Sequence, residues 1–272
     1  MTSPWATHAV ELLTDVVIKR FRTCSDGEHE REWRALTLLE QYSPGVAPSP
    51  LEADLSAASP TIVMSRLAGS PLRGARVPPD QLLSMAQTMT TMHEAVPRKV
   101  AADLPLRLWN QHHAVRGIHV RYARLAERVP SPFVTQAVTT GMSWLQRSRL
   151  TTTGEPYMPP IFGQADGNLA NFLWDGTQVR VVDFEDSGRS DRAYELADVV
   201  EHVSAWVDSE FDTLQFLGLF DLTESEALRL RECRRLFGLL WLLVLALEDP
   251  SNPRNPPGTA ERQAERLMGL LG

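Results

Sequence analysis

Three polar residues between Gly163 and Phe184 have the types and spacing that a phosphoryl-transfer site requires. They are Asp166, Asn171 and Asp183. Transfer of a terminal phosphoryl group needs an oriented acceptor hydroxyl, and it needs divalent metal to offset charge on the phosphate oxygens. We expect Asp166 to orient that hydroxyl or accept its proton. Asn171 and Asp183 would supply the hard oxygen ligands that Mg²⁺ prefers.

A short β-hairpin is predicted to bring two of these side chains together. Apolar runs at Phe172 to Trp174 and at Val179 to Val182 flank Asp175-Gly176, which is a strong turn signal. Such a hairpin puts Asn171 within about one residue of the position opposite Asp183, so both side chains can reach one ion. A simpler interpretation competes with this one, because Asp and Asn are common loop residues that hydrogen-bond local backbone.

This segment resembles the catalytic segment of the aminoglycoside phosphotransferase and choline kinase-like family of small-molecule kinases. The family pattern is His-Gly-Asp, four residues, Asn, and a strand that ends in Asp-Trp/Phe-Glu. Asp166, Asn171 and the run Asp183-Phe184-Glu185 match it, and the stretch from Asp191 to Asp198 is similar to the family's Gly-Asp-Pro-x-x-Asp-Leu-Ala. The resemblance implies an α+β, protein-kinase-like bilobal fold, with a small antiparallel-sheet N-lobe and a larger, mainly helical C-lobe.

The front of the motif departs from the family. Gln164-Ala165 stands where the family has His-Gly. Glutamine can donate and accept hydrogen bonds, so a scaffolding role is retained, but it cannot titrate near neutral pH as histidine can.

The N-terminal part is expected to hold the nucleotide. The runs Ala9 to Leu13 and Val16 to Phe21 read as paired strands. By the resemblance, Lys19 reaches the nucleotide phosphates and Glu32, on a following helix, holds that lysine. Glu28 and Glu30 are alternatives to Glu32, and a lone lysine at a strand end is often simply solvated.

The start of this lobe is short for such a kinase, which places a strand, a phosphate-covering loop and a second strand before the lysine strand. Only eighteen residues precede Lys19, and none is glycine. The first strand and most of the loop are therefore expected to be missing or very short. Three explanations stay open: the phosphates are covered differently, the natural start lies upstream, or nucleotide binds poorly.

A hinge is predicted where the strand Thr61 to Leu67 runs into the breaker cluster Ala68 to Leu72. The resemblance implies that backbone groups near Ser65 and Leu67 meet the adenine edge. It divides the chain into a nucleotide-binding lobe, residues 1–67, and a helical lobe, residues 68–272, with the hinge near 65–68.

Helical patterns dominate the predicted C-lobe. They include Leu82 to His93, a longer stretch from Leu106 to Arg128, and a helix for which Asp191 is a candidate N-cap. The acceptor cleft should lie beside the catalytic loop. Its candidate contacts follow the metal carboxylate closely and are Glu185, Glu201, Trp206 and Asp208, with Asp186 and His202 nearby. The competing interpretation of this segment is a solvated helix face with a core tryptophan.

Composition excludes several other classes of protein. A net charge of -7 over 272 residues argues against a nucleic-acid partner. No signal peptide is predicted, and the apolar run Leu236 to Leu247 is too short to span a bilayer. Cys24 and Cys233 lack metal-ligand spacing, which favours reduced thiols in a cytoplasmic protein. A monomer or homodimer is expected.

The sequence therefore predicts an ATP- and Mg²⁺-dependent phosphotransferase that acts on a hydroxyl group of a small molecule. The leading acceptor is an aminoglycoside or a similar hydroxylated natural product, which would make the protein an antibiotic-resistance enzyme. Two alternatives remain: a kinase of a metabolite such as choline, a methylthio sugar or an amino alcohol, and a non-catalytic binding or regulatory protein that keeps the kinase fold.

Overall fold

The computed structural model describes residues 8–22, 26–128, 130–150, 158–249 and 251–272. They form a small N-terminal lobe built on one antiparallel sheet and a larger, mainly helical C-terminal lobe, as predicted. Cys24 lies outside the described residues, and Cys233 is a buried free thiol.

The N-lobe sheet contains β1 (Ala9–Leu12), β2 (Val16–Arg20), β3 (Pro50–Asp54) and β4 (Thr61–Ser65). Its strands are ordered β1-β2-β4-β3, and all neighbours are antiparallel. β2 is rich in β-branched side chains, which suit a pleated strand. Within the described residues, which begin at His8, β1 precedes this lysine-bearing strand.

Helix α1 (Glu28–Tyr42) covers one face of this sheet. Glu32, Leu36 and Leu39 are buried and recur at helical spacing, so they share the face that packs inward. Ile62 of β4 belongs to the same core. The apolar stripe of α1 therefore carries Glu32 into the interior beneath the sheet.

The C-lobe is built on long helices. α8 is the central one and packs against α4, α5, α6 and α9. A capping box at Thr223 and Glu226 starts α8, and the Asp191 side chain caps α6 by accepting a hydrogen bond from the backbone of Tyr194. The helices are α2 (Pro79–Ala95), α3 (Arg98–Asp103), α4 (Gln111–Leu125), α5 (Pro132–Arg147), α6 (Arg192–Glu201), α7 (Thr213–Leu217), α8 (Glu224–Ala246) and α9 (Thr259–Leu271).

Short strands of the described residues form two further small sheets. β5 (Ser70–Pro71), β7 (Phe172–Trp174) and β8 (Val179–Val181) form one three-stranded sheet. β6 (Ile161–Gly163) pairs with β9 (Gly188–Ser190). The hairpin of β7 and β8 is the predicted one, because four residues connect the two strands around Asp175-Gly176.

One predicted helix is shorter than expected. The stretch from Leu106 is helical only from Gln111, where the Asn110 side chain caps α4. Leu106 instead bridges to Arg189 beside β9, and the Arg107 backbone nitrogen donates to the Arg189 carbonyl. Among the helices of the described ranges, none is both long and apolar enough to cross a membrane.

Candidate active site

Two loops and one hairpin bring the three predicted polar residues together. Asp166 lies on the loop after β6, Asn171 ends a 3₁₀ turn before β7, and Asp183 follows β8. The Val182 backbone nitrogen donates to the Asn171 carbonyl at 2.9 Å, which fixes the register next to Asp183. The Asn171 side-chain nitrogen donates to Asp166 Oδ2 at 2.7 Å.

The Asp166 carboxylate is oriented through both oxygens. Oδ1 accepts from the Asn168 backbone nitrogen at 3.0 Å, while Oδ2 is held by Asn171. The side chain lies below the surface but keeps 35% of its area accessible through the cleft. Burial, and then the charges of Asp183 and Asp198, raise the pKa of Asp166 to about 7. A group with this pKa can accept a proton near neutral pH.

Lys19 of β2 crosses from the N-lobe to three carboxylates. Its Nζ lies 2.9 Å from Glu32, 2.6 Å from Asp183 and 2.7 Å from Glu185. Burial opposes the charge of Lys19, but these carboxylates outweigh that effect and hold its pKa well above its ordinary value. Oxygens of the same three acids lie close enough together to share a cation.

Glu32 is the acid that the structure pairs with Lys19 on α1. It is fully buried, and its Oε2 also accepts a hydrogen bond from the Phe184 backbone nitrogen at 3.0 Å. Glu30 is exposed. Glu32 therefore joins β2, α1 and the segment after β8. In the sequence alone, Glu28 and Glu30 were alternatives to Glu32 as the partner of Lys19.

Gln164 takes the position of the family's histidine. It is buried, its Nε2 donates to the Asp183 carbonyl at 2.8 Å, and its Oε1 accepts from the Asp166 backbone nitrogen at 3.1 Å. The amide thus ties the backbones of two site residues to each other. This is the scaffolding for which a glutamine suffices.

Ala165 and Asp183 have left-handed backbone conformations, with φ of 75° and 66°. Such conformations are strained for residues with a Cβ and persist where surrounding contacts enforce them. The Ala165 position is the one at which the family has glycine, and the positive φ gives the physical reason for that preference.

Arg107 is a site residue that the sequence did not reveal. It is buried, and its guanidinium donates to Glu195, to Asp198 and, at 2.8 Å, to the Ala165 carbonyl. Glu195 in turn accepts from the Ala165 backbone nitrogen at 3.0 Å. Burial disfavours the cation, but the two acids raise its pKa above the usual value. Two acids at helical spacing on an otherwise apolar face were the signal that a buried cation was required.

A cleft of about 870 Å³ opens beside Asp166. Asp186 lines it, and burial followed by the charges of Asp166 and Glu185 raises the pKa of Asp186 to about 7. Helix α8 contributes part of its wall. The lining combines carboxylates, aromatic rings and cations: Asp166, Glu185, Asp186, Trp109, Trp241, Arg73, Arg121 and His202 among others.

Three of the four predicted acceptor contacts do not line this cleft, which Glu185 does. Glu201 is fully buried and is bound by Arg234 at 2.7 Å and Arg266 at 3.1 Å. Asp208 accepts from Arg73, and the Trp206 ring lies against two arginine side chains. Arginines of the C-lobe therefore pair with both carboxylates and stack on the Trp206 ring, and acceptor contacts at Glu201, Trp206 and Asp208 stay predictions.

The predicted hinge residues differ in their free backbone groups. The Ser65 nitrogen donates to the Ser49 carbonyl at 2.9 Å and is therefore used within the N-lobe. Leu67 lies in the coil after β4, and within the described residues its backbone makes no hydrogen bond. Of these two residues, Leu67 is thus the one whose main-chain groups are available to a ligand.

Residues 3–233 match the family model described as Phosphotransferase enzyme family. No curated protein sequence matches the chain. Several solved structures share its fold. A choline/ethanolamine kinase family protein from Mesorhizobium loti has a TM-score of 0.64 and 19% identity, covering 98% of this chain and 85% of that one. The aminoglycoside phosphotransferase APH(4)-Ia has a TM-score of 0.65 and 16% identity, covering 99% and 91%. The ADP-bound aminoglycoside phosphotransferase APH(2'')-Ib has a TM-score of 0.62 and 12% identity, covering 99% and 91%. At these identities, the likeness establishes the protein-kinase-like fold.

Proposed function

Because the chain belongs to the phosphotransferase enzyme family, whose fold it shares with small-molecule kinases, we propose that it transfers the γ-phosphoryl group of ATP to a hydroxyl group of a small molecule. One observation carries the proposal. Asp166 and Asn171 are hydrogen-bonded at 2.7 Å, and Asp183, on the neighbouring strand end, reaches Lys19 at 2.6 Å. These contacts place four groups next to one another. They are the proposed base Asp166, the amide of Asn171, the carboxylate of Asp183 and the proposed phosphate-binding cation Lys19.

We propose that the oxygens of Asn171 and Asp183 hold a magnesium ion. The side-chain nitrogen of Asn171 donates to Asp166, so its side-chain oxygen is the atom that would bind the metal ion. Asp183 is 40% exposed, and carboxylate and amide oxygens are hard ligands. Bound Mg²⁺ would offset negative charge on the phosphate oxygens. In the proposed complex, Lys19 keeps Glu32 and exchanges its contacts with Asp183 and Glu185 for phosphate oxygens.

Asp166 is proposed to take the hydroxyl proton as the acceptor oxygen attacks. A pKa of about 7 lets its carboxylate accept the proton at neutral pH. Gln164 and Arg107 hold the loop in place through Asp166 and Ala165, so the carboxylate need not reorganise during the reaction. The Leu67 backbone is the proposed contact for the adenine edge, in line with the ADP bound by APH(2'')-Ib.

For the acceptor we propose an aminoglycoside or a similar hydroxylated natural product. Support comes from the aminoglycoside phosphotransferases among the solved relatives and from the carboxylates Glu185 and Asp186 on the cleft. The choline/ethanolamine kinase relative favours a metabolite instead. The Trp109 and Trp241 rings on the cleft suit the quaternary ammonium group of such an acceptor.

The test is an ADP-release assay over aminoglycosides, other hydroxylated antibiotics, choline, ethanolamine, methylthio sugars and amino alcohols, with ATP and GTP in separate arms. Asp166→Asn is the control for each acceptor that stimulates turnover, and we expect it to lose activity by at least about a hundredfold. Near-normal turnover in that variant would refute the assigned mechanism. If an aminoglycoside is phosphorylated, expression in a susceptible strain should raise the inhibitory concentration of that compound.

Calorimetry separates this proposal from the non-catalytic alternative. Binding of ATP with Mg²⁺ is expected in the micromolar to millimolar range that small-molecule kinases use, on the order of -4 to -8 kcal/mol. Absence of binding at millimolar nucleotide would favour a kinase-fold binding or regulatory protein.

A further inference from the structure

His202 follows the last turn of α6 and has a defined tautomer. Its Nδ1 accepts a hydrogen bond from the Ser204 backbone nitrogen at 3.1 Å and lies 2.7 Å from Ser204 Oγ. That hydroxyl already accepts from the Leu169 backbone nitrogen at 2.9 Å, so its own proton is directed at the imidazole. Nδ1 is therefore the unprotonated nitrogen. The ring proton is carried by Nε2.

The protonated nitrogen faces the catalytic carboxylate across the cleft wall. Nε2 lies 3.9 Å from Asp166 Oδ1, and both residues line the cleft. This separation is too long for a direct hydrogen bond, yet one oxygen atom can lie within about 2.7–2.9 Å of both groups. Burial, and then the charge of Arg73, lower the pKa of His202 to about 3, so the ring is a neutral donor.

The ring is held rigidly in this direction. Trp241 of α8 packs edge-on against it, with 4.8 Å between ring centroids and 83° between planes. Only 10% of the side chain is exposed. Contacts with Ser204 and Trp241 thus fix the orientation of the imidazole. Its Nε2 lies on the side of the ring that faces Asp166.

We propose that His202 positions the acceptor by donating its Nε2 hydrogen to the hydroxyl oxygen whose proton goes to Asp166. This rests on the proposed phosphotransferase function and adds a selectivity to it. A hydroxyl can donate to Asp166 while accepting from Nε2. A protonated amine lacks the lone pair that Nε2 requires, so an acceptor bearing both groups is held by a hydroxyl.

Phosphoryl transfer at this position needs only ATP and the acceptor hydroxyl as reactants. The acceptor oxygen forms a bond to the γ-phosphorus, the bond from that phosphorus to the β–γ bridging oxygen breaks, and the hydroxyl proton passes to Asp166. ADP leaves. His202 keeps its proton throughout and acts only on the orientation of the oxygen.

Two substitutions separate positioning from structural support. His202→Asn keeps a side-chain acceptor near the Nδ1 position for Ser204 but removes the Nε2 donor. His202→Gln puts an amide nitrogen near the Nε2 position and gives up the Nδ1 contact. Each variant therefore keeps a substitute for one ring nitrogen and loses the other.

The experiment measures ATP hydrolysis in the presence of Mg²⁺, with water as the acceptor, for the full chain. We expect His202→Asn to lower kcat by about tenfold, the loss typical of one hydrogen bond, with the KM for ATP unchanged. His202→Gln should stay within about threefold of wild type. Equal losses in both variants, or wild-type kcat in His202→Asn, would overturn the proposal. Urea unfolding of both variants shows whether a loss of kcat follows a loss of folding.

A second measurement needs no turnover. The ¹⁵N shifts of the imidazole, assigned by their absence in His202→Gln, should report a neutral ring protonated at Nε2. A proton on Nδ1 would overturn the proposal. If Asp166→Asn hydrolyses ATP as well as wild type, the proposed function itself fails and this inference falls with it. If only His202→Asn is unaffected, the proposed function stands and this inference fails.

Discussion

At the scale of single residues, Gln164 shows how the site retains its shape without the family's histidine. The amide makes one hydrogen bond to each of the two backbone segments that carry Asp166 and Asp183. Neither bond requires a titratable group. The change from histidine therefore alters the pH response of the loop more than its geometry.

Replacing Gln164 with leucine should be strongly destabilising. Gln164→Leu keeps a similar volume but leaves the Asp166 nitrogen and the Asp183 carbonyl without their partner. We expect a loss of about 2–4 kcal/mol in the free energy of unfolding, measured by urea denaturation. The matched control is Gln136→Leu on the exposed face of α5, which should change it by less than about 0.5 kcal/mol. Equal effects would contradict the scaffolding role.

The raised pKa of Asp166 has a consequence for stability. Its folded value is about 7, compared with an ordinary value of 3.8. Between these values the folded protein binds more protons than the unfolded chain, so this carboxyl makes stability fall as the pH rises from about 4 to 7. Asp166→Asn should therefore be more stable than wild type at pH 8, and the difference should vanish near pH 4.

Unfolding midpoints in EDTA across this range check that sign. Asp175 is a control of opposite sign, because hydrogen bonds from Gln178 and Thr177 lower its pKa to about 2. Its contribution is present at neutral pH and is lost as the pH falls, so Asp175→Asn should be less stable than wild type at pH 7. If Asp166→Asn shows no gain at pH 8, the carboxyl is not strained by its surroundings.

At the scale of elements, the catalytic loop is fastened to α6. Arg107 and Glu195 hold the carbonyl and the nitrogen of Ala165, and a Cβ on Gly167 would clash with the Asp198 backbone. The sequence indicated α6 through its N-cap and apolar stripe. It could not show that the acids of this helix enclose an arginine from a segment about ninety residues earlier.

Removing this arginine should cost far more than removing a surface arginine. Arg107→Met leaves Glu195 and Asp198 buried without a counter-charge, and we expect a loss of about 3–5 kcal/mol in unfolding free energy. Arg20→Met breaks an exposed pair with Glu11 at 2.9 Å and should cost about 0–1 kcal/mol. Adding Glu195→Gln and Asp198→Asn to Arg107→Met should restore part of the loss. Similar values for the two arginines would rule out a structural role for this cluster.

At the scale of the whole molecule, the N-lobe and C-lobe meet through polar contacts. Lys19 reaches Asp183 and Glu185, and Arg31 of α1 donates to the carbonyls of Leu106 and Ser187 at 2.8 and 3.0 Å. We propose that residues 1–67 form the nucleotide-binding lobe and residues 68–272 the helical lobe, with the hinge near 65–68. Nucleotide bound between them would join both.

Lys19 therefore links nucleotide binding to global stability. ATP with Mg²⁺ at a hundred times its Kd should raise the unfolding free energy of the wild type by about 2.7 kcal/mol. Lys19→Met should lose most of this gain, and it should also be less stable without ligand because three acids lose their shared cation. Thermal and urea unfolding with and without nucleotide provide the measurement.

Lys99→Met, on an exposed position of α3, is the control and should keep the full gain. An equal gain in Lys19→Met would show that Lys19 does not contact the nucleotide.

The sequence by itself determined several elements and the types of Asp166, Asn171 and Asp183, because these depend on local order. Strand β2, the hairpin of β7 and β8, and the cap of α6 follow from β-branched runs, turn residues and a capping aspartate. Only the tertiary structure decided which side chains are free to meet a ligand. Glu201 and Asp208 form ion pairs with arginines. Arg107 is buried and binds the catalytic loop, and His202 faces Asp166. These outcomes depend on contacts between distant segments, where burial and charge pairing are settled only when the chain has folded.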